Sequence, residues 1–106
     1  MRGAPLHIKN YLRERKEWVA KNDLCRLDIR TSKGGLYGAD LISRTLRSLE
    51  ESHIVAVQYV KRHSFYRYIP DYIRHLYIPT SIRKNGMWIN EKEKDRLIDR
   101  YSRYAS

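Results

Sequence analysis

GADLISRTLRSLEESHIVAVQYVKRHSFYRYIP, residues Gly38 to Pro70, contains one change of period, and the fold turns on it. Ala39, Ile42, Leu46 and Leu49 recur at three- and four-residue steps, so they share one face of a helix. Asp40, Ser43, Arg44 and Arg47 lie on its other faces and are polar. At His53 the period shortens. Val55, Val57 and Tyr59 alternate with Ala56, Gln58 and Val60, as in a strand. Lys61-Arg62-His63-Ser64 is a polar turn candidate. Phe65 to Ile69 is aromatic and β-rich, and it stops at Pro70, which cannot donate to a sheet ladder. The expected order is helix, strand, basic turn, strand. A helix that shows Ser and Arg outward and feeds a basic two-stranded ribbon can reach the edges and phosphates of a DNA groove.

Upstream, Pro5 to about Lys16 reads as a first helix. Proline suits an early helical position, Ile8 and Leu12 stand four apart, and Tyr11 widens their face. Arg13, Arg15 and Lys16 enrich its C-terminal end, where positive charge suits the helix dipole. Glu17-Trp18-Val19-Ala20 is β-prone and short enough to add a third strand to the ribbon. Trp18 is expected in the core rather than as a stacking site for a base. Lys21 to Ile29 reads as a second short helix, with Asn22 and Asp23 near its start and Leu24 and Leu27 on its apolar face. Cys25 lies inside it, with no motif supplying the base that a nucleophile needs, and reads as a small buried thiol. Arg30 to Tyr37, RTSKGGLY, is a connection with a turn at Gly34-Gly35; the phosphate-loop pattern GxxxxGK[ST] is absent. Lys33 and Tyr37 are placed to flank the third helix and touch backbone phosphates.

Downstream of Pro70, DYIRHLYIP (Asp71 to Pro79) suggests one or two helical turns with Tyr72, Ile73, Leu76 and Tyr77 clustered. Asn85-Gly86 is a turn pair, followed by Met87-Trp88-Ile89. Asn90 is an N-cap candidate for a last helix, with Glu91, Glu93 and Asp95 near its positive end. Leu97, Ile98, Tyr101 and Tyr104 form a narrow apolar face on that helix. Such a face needs a cover, either this domain or a second subunit. The chain divides at 79/80 into a main domain, 1–79, and a C-terminal extension, 80–106.

The chain has 106 residues and one cysteine, so it suits a single small domain without an internal disulfide. Lys plus Arg total 22 against 12 for Asp plus Glu, a net charge of +10 that favours polyanionic partners, nucleic acid first. The charge is spread, with +3 over residues 1–20, +4 over 21–70 and +3 over 71–106, so position rather than total must identify a site. No apolar run spans a bilayer, and the start lacks a signal-peptide core, so the expected location is cytoplasmic, or on the nucleoid. His7, His53, His63, His75 and Cys25 lack metal-ligand spacing, and no paired carboxylates stand apart from Lys or Arg. No enzyme activity, metal or cofactor is expected. Nine tyrosines beside one phenylalanine suggest Tyr in half-exposed core positions rather than a row of stacking sites.

The order helix, short strand, helix, turn, helix, strand, basic turn, strand resembles the winged helix-turn-helix family of DNA-binding domains. Three stretches carry the resemblance: EWVAKNDL (Glu17 to Leu24), LISRTLRSLEESHIV (Leu41 to Val55) and SFYRYIP (Ser64 to Pro70). One departure is His53, which stands where a glycine is common. The resemblance implies an α+β, mostly α fold of three helices and a two- to three-stranded wing, with an additional C-terminal helix. It implies that the third helix enters the major groove, with Asp40, Ser43, Arg44 and Arg47 facing DNA, and that Lys61, Arg62 and His63 at the wing tip lie by the backbone or a minor groove. Alternatively Arg44 and Arg47 are merely solvated, with Arg47 pairing Glu51.

Three classes of function therefore stand. The first is a sequence-specific binder of double-stranded DNA, a small transcription regulator. The second is a winged-helix module for protein–protein interaction. The third is a nucleic-acid enzyme that uses a tyrosine or histidine. A small regulator commonly doubles its contacts by two-fold pairing, so a homodimer through Trp88, Ile89, Leu97, Ile98, Tyr101 and Tyr104 is also expected.

Overall fold

The computed structural model describes residues 3–27, 38–80 and 85–102. Helix α1 spans Ala4–Arg15, with Pro5 in its first turn and Ala4, Ile8 and Leu12 buried. It ends at Lys16, whose φ of 56° is left-handed and whose N–H bonds to the Leu12 carbonyl. Strand β1, Val19–Ala20, leads directly into α2, Lys21–Cys25. Asn22 and Asp23 do not cap α2. The residue before it is Ala20, with no side-chain cap bond, because the strand runs straight into the helix. Nor does α2 continue beyond Cys25: Arg26 and Leu27 close it as a turn, bonding to Asp23 and Leu24. Cys25 is half-buried against the main core.

Helix α3 spans Ala39–Glu51 and buries Ile42, Thr45, Leu46, Leu49 and Glu50. Ala39, expected on the apolar face, is exposed at the first turn. The C-terminus is closed by a left-handed residue. His53 has φ 63°; its N–H reaches the Glu50 carbonyl at 2.9 Å, and the Ile54 N–H reaches that of Leu49 at 2.9 Å. That pair of bonds is a Schellman closure, which normally takes glycine. Here the imidazole holds the position, since Nδ1 lies 2.9 Å from the Arg74 carbonyl and must donate to it.

Strands β2 (Val55–Val60) and β3 (His63–Tyr68) pair antiparallel from Val55↔Tyr68 to Val60↔His63. The turn is therefore two residues, Lys61-Arg62, with Lys61 at φ 57°, not the four residues expected; His63 and Ser64 belong to the ladder. Strand β1 pairs with β3 through Val19↔Tyr66, giving the order β1-β3-β2. Trp18 is not in the core. Alternation turns Val19 inward at 4% exposed and leaves Trp18 outward at 39%.

The main core joins Ile8 and Leu12 of α1, Leu24 of α2, Ile42, Leu46 and Leu49 of α3, and Val55, Val57 and Tyr66 of the sheet. Burying each of the larger aliphatic side chains contributes about 1.5–3 kcal/mol. A second cluster covers the other face of β2. There Ala56 is buried with Ile69, Ile73 and Tyr77, and Tyr72, Trp88 and Leu97 pack against them. This breaks the simple alternation read for β2.

The second cluster is built by a 3₁₀ helix at Asp71–Leu76, strands β4 (Tyr77–Ile78) and β5 (Met87–Trp88), and helix α4 (Glu91–Ser102). Asn90 caps α4, accepting the Glu93 N–H at 3.1 Å. Strands β4 and β5 pair across the 79/80 boundary expected from sequence. The segment also covers the outer edge of β2. The Val57 N–H donates to the Tyr77 hydroxyl (3.2 Å), the Tyr59 N–H to Asn85 Oδ1 (2.7 Å), and the Gly86 N–H to the Val57 carbonyl (3.4 Å). An edge so bonded is closed to pairing with another chain. No helix among the described residues is long and apolar enough to cross a membrane.

Candidate nucleic-acid interface

Asp40, Ser43, Arg44 and Arg47 follow one another at steps of three, one and three, so the helix that buries Ile42, Leu46 and Leu49 must carry them on its outer side. They line, among the described residues, a concavity of about 310 Å³. Arg44 and Arg47 are exposed and form no ion pair among the described residues; none links Arg47 with Glu51. Ser43 spends its proton within the helix, its Oγ donating to the Ala39 carbonyl at 2.9 Å, which leaves its lone pairs for an outside donor.

The ribbon continues this surface. Burial raises the pKa of the Tyr59 and Tyr66 hydroxyls above the ordinary tyrosine value, while the Arg47 charge acts on both in the opposite sense. Arg47 thus lies within electrostatic reach of the sheet, and Tyr59 stays a neutral donor. Lys61, Arg62 and His63 are all exposed at the hairpin tip. Seven of the nine residues expected at a DNA surface thus divide between one helix face and one hairpin tip. Lys33 and Tyr37 lie outside the described residues.

The residues expected at a dimer surface are partly used within the chain. Trp88 meets Tyr77 edge to face with centroids 5.1 Å apart, Leu97 packs on the second cluster, and Tyr101 stacks on Tyr72 at 4.4 Å. Helix α4 thus folds back on its own chain, one of the two covers expected for it. Ile89 remains 63% exposed and Ile98 37%, with Met87 beside them at 65%. Tyr104 lies outside the described residues.

Sequence reading missed Glu50. The residue is 6% exposed, and its carboxylate Oε2 accepts the Tyr77 hydroxyl at 2.5 Å and the Thr80 N–H at 3.1 Å. Burial raises its pKa above the ordinary carboxyl value, against the lowering by those two bonds. Burial also raises Tyr77, followed by its bond to Glu50. The spacing carried only part of the signal: Glu50 stands four residues after Leu46, on the side of the apolar face, but the groups that cover it come from Tyr77 and Thr80. Among the described residues no group of three His, Cys, Asp or Glu could hold a metal ion.

No protein-family model, curated protein or solved structure matches the chain.

Proposed function

We propose that the protein is a winged helix-turn-helix that binds double-stranded DNA in a sequence-dependent way, as a small transcription regulator, with α3 in the major groove and the β2–β3 tip on the backbone. One observation carries the reading: two exposed guanidinium groups, Arg44 and Arg47, share the outer face of α3 without an ion-pair partner among the described residues. A guanidinium offers the fork that guanine O6 and N7 accept, and Asp40 and Ser43 beside it add an acceptor for cytosine N4 and a hydroxyl. Lys61 and Arg62 supply sequence-independent attraction to phosphates. The element order α1-β1-α2-α3-β2-β3 supports the same reading.

The test is selection of bound duplexes from a random pool, followed by titration of Arg44→Ala and Arg47→Ala on the selected sequence. Each variant is expected to lose about 1–3 kcal/mol of binding and to relax preference at one base position. Unchanged binding by both, with helical content intact by circular dichroism, removes α3 as the reader. Absence of any salt-dependent duplex binding would favour the protein-interaction module instead.

A further inference from the structure

A second concavity lies across the sheet from α3, between β2 and the C-terminal segment. It measures about 180 Å³, and its lining includes Trp18, Trp88, Gln58, Asn85 and Glu91 over Ala56. The alternation that turns Val19, Val55 and Val57 to the main core turns Trp18, Ala56 and Gln58 to this side. Trp18, 39% exposed, and Trp88, braced against the Tyr77 ring, both line it. The side chains of Gln58 and Glu91 are exposed and enter no hydrogen bond or ion pair among the described residues. Asn85 is oriented by the Tyr59 N–H on its Oδ1, at 2.7 Å, which leaves its NH₂ to donate.

We propose that this concavity holds one unstacked pyrimidine of a single-stranded nucleic acid, with cytosine preferred. Size supports a single ring: a cavity of roughly 150 Å³ takes a benzene molecule, and this one is about 180 Å³. The walls support a base, because indole rings stack on the π-face of any unpaired nucleobase. The polar rim supports cytosine. A carboxylate accepts from the N4 amino group, whereas uracil and thymine present a carbonyl at that position and would meet Glu91 oxygen to oxygen. Carboxamides at Gln58 and Asn85 can serve the O2 and N3 acceptors. A small organic cation is the less suited guest. The chain carries +10, and one cation already sits on Trp88, with Lys94 Nζ 4.9 Å from its ring centroid. The site lies apart from the outer face of α3, so it stands or falls independently of the duplex reading.

Trp18 and Trp88 are the only tryptophans of the chain, so tryptophan emission, excited at the red edge, reports on this concavity. The experiment titrates the full chain with short oligodeoxycytidylate and oligothymidylate of equal length, and separately with arginine amide. Saturable quenching is expected with both oligonucleotides, about tenfold tighter for cytosine. Glu91→Gln should narrow that preference, because its amide can donate to a carbonyl; Trp18→Ala should weaken both ligands. Arg44→Ala with Arg47→Ala should leave the preference unchanged, which separates this site from the α3 surface. Equal affinity for the two oligonucleotides, no saturable quenching by either, or a preference that Glu91→Gln leaves undiminished overturns the proposal. So does saturation by arginine amide alone, which would make the concavity a cation cage.

Discussion

The hydroxyl of Tyr77 donates to the buried carboxylate of Glu50 at 2.5 Å, and this bond ties the last turn of α3 to the C-terminal segment. The same hydroxyl accepts the Val57 N–H, so helix, sheet edge and segment meet at one oxygen atom. A tyrosine is suited to the place because its hydroxyl can donate and accept at once.

Glu50 gives the fold a pH dependence of unusual sign for a carboxylate. Its folded pKa is raised, with burial as the largest cause. The folded state therefore holds the proton more tightly than the unfolded chain. The favourable contribution is complete below the ordinary carboxyl value of 4.5 and is lost as pH rises through the raised value. Glu50→Gln keeps an acceptor for Tyr77 and Thr80 and removes the titration. Denaturant unfolding at several pH values should show wild type losing stability relative to this variant as pH rises. A difference that grows in favour of wild type with rising pH would mean that the two bonds to the carboxylate outweigh its burial. Glu50→Leu leaves the Tyr77 hydroxyl and the Thr80 N–H without their acceptor, at a cost of about 1–3 kcal/mol for each group left unsatisfied.

Gly86 guards the same oxygen from the other side. A Cβ placed there would stand 2.0 Å from the Tyr77 hydroxyl oxygen and 2.5 Å from Cζ. Gly86→Ala should therefore destabilise the fold by about 1–3 kcal/mol, as overpacking does. Adding Tyr77→Phe removes the nearer clash and keeps the second, so the double variant should be more stable than the sum of the single changes predicts. Strict additivity in thermal unfolding would show that Gly86 and Tyr77 do not press on one another.

The hairpin tip makes a prediction about salt rather than sequence. Lys61 and Arg62 occupy a two-residue turn and are exposed. Replacing both by Ala should weaken every duplex about equally, with the slope of log affinity against log salt falling by roughly one per lost phosphate contact. An effect confined to one duplex sequence would assign base reading to the hairpin, and no effect would leave its tip to solvent.

Much of this architecture is visible in the sequence, and the exceptions have a common origin. The helix-to-strand change after Glu51, the hairpin and the Asn90 cap rest on local periodicity and turn chemistry, which act within a few residues. Trp18, Ala56 and Glu50 depend on what arrives from far along the chain. Trp18 faces outward because Val19 must face Tyr66, some fifty positions on. Ala56 and Glu50 are buried because Ile73 and Tyr77 come to cover them. His53 shows a middle case. Its position after α3 marks a helix end, but its left-handed backbone is held by a bond to Arg74 that no local pattern announces. The outer face of α3 was legible because exposed residues need no partner to define them.

The C-terminal segment also presents an apolar surface suited to self-association. The fold-back of α4 covers Leu97 and part of Trp88, yet Met87 at 65% exposed and Ile89 at 63% lie together at β5 and just beyond it. Two domains reading a two-fold DNA site would gain from a contact there. Met87→Glu with Ile89→Glu tests this without disturbing the core, because neither side chain is buried in the single chain. If the surface pairs two copies, wild type sediments as a dimer, the double variant as a monomer of equal thermal stability, and the variant binds a two-fold duplex much more weakly than wild type while matching it on a half-site. Truncation after Pro79 is a poorer test, since it also strips Asn85 and Gly86 from the edge of β2 and should lower stability on that account. A wild-type chain that sediments as a monomer well above the concentration at which it binds DNA eliminates the dimer, and α4 then serves the fold alone.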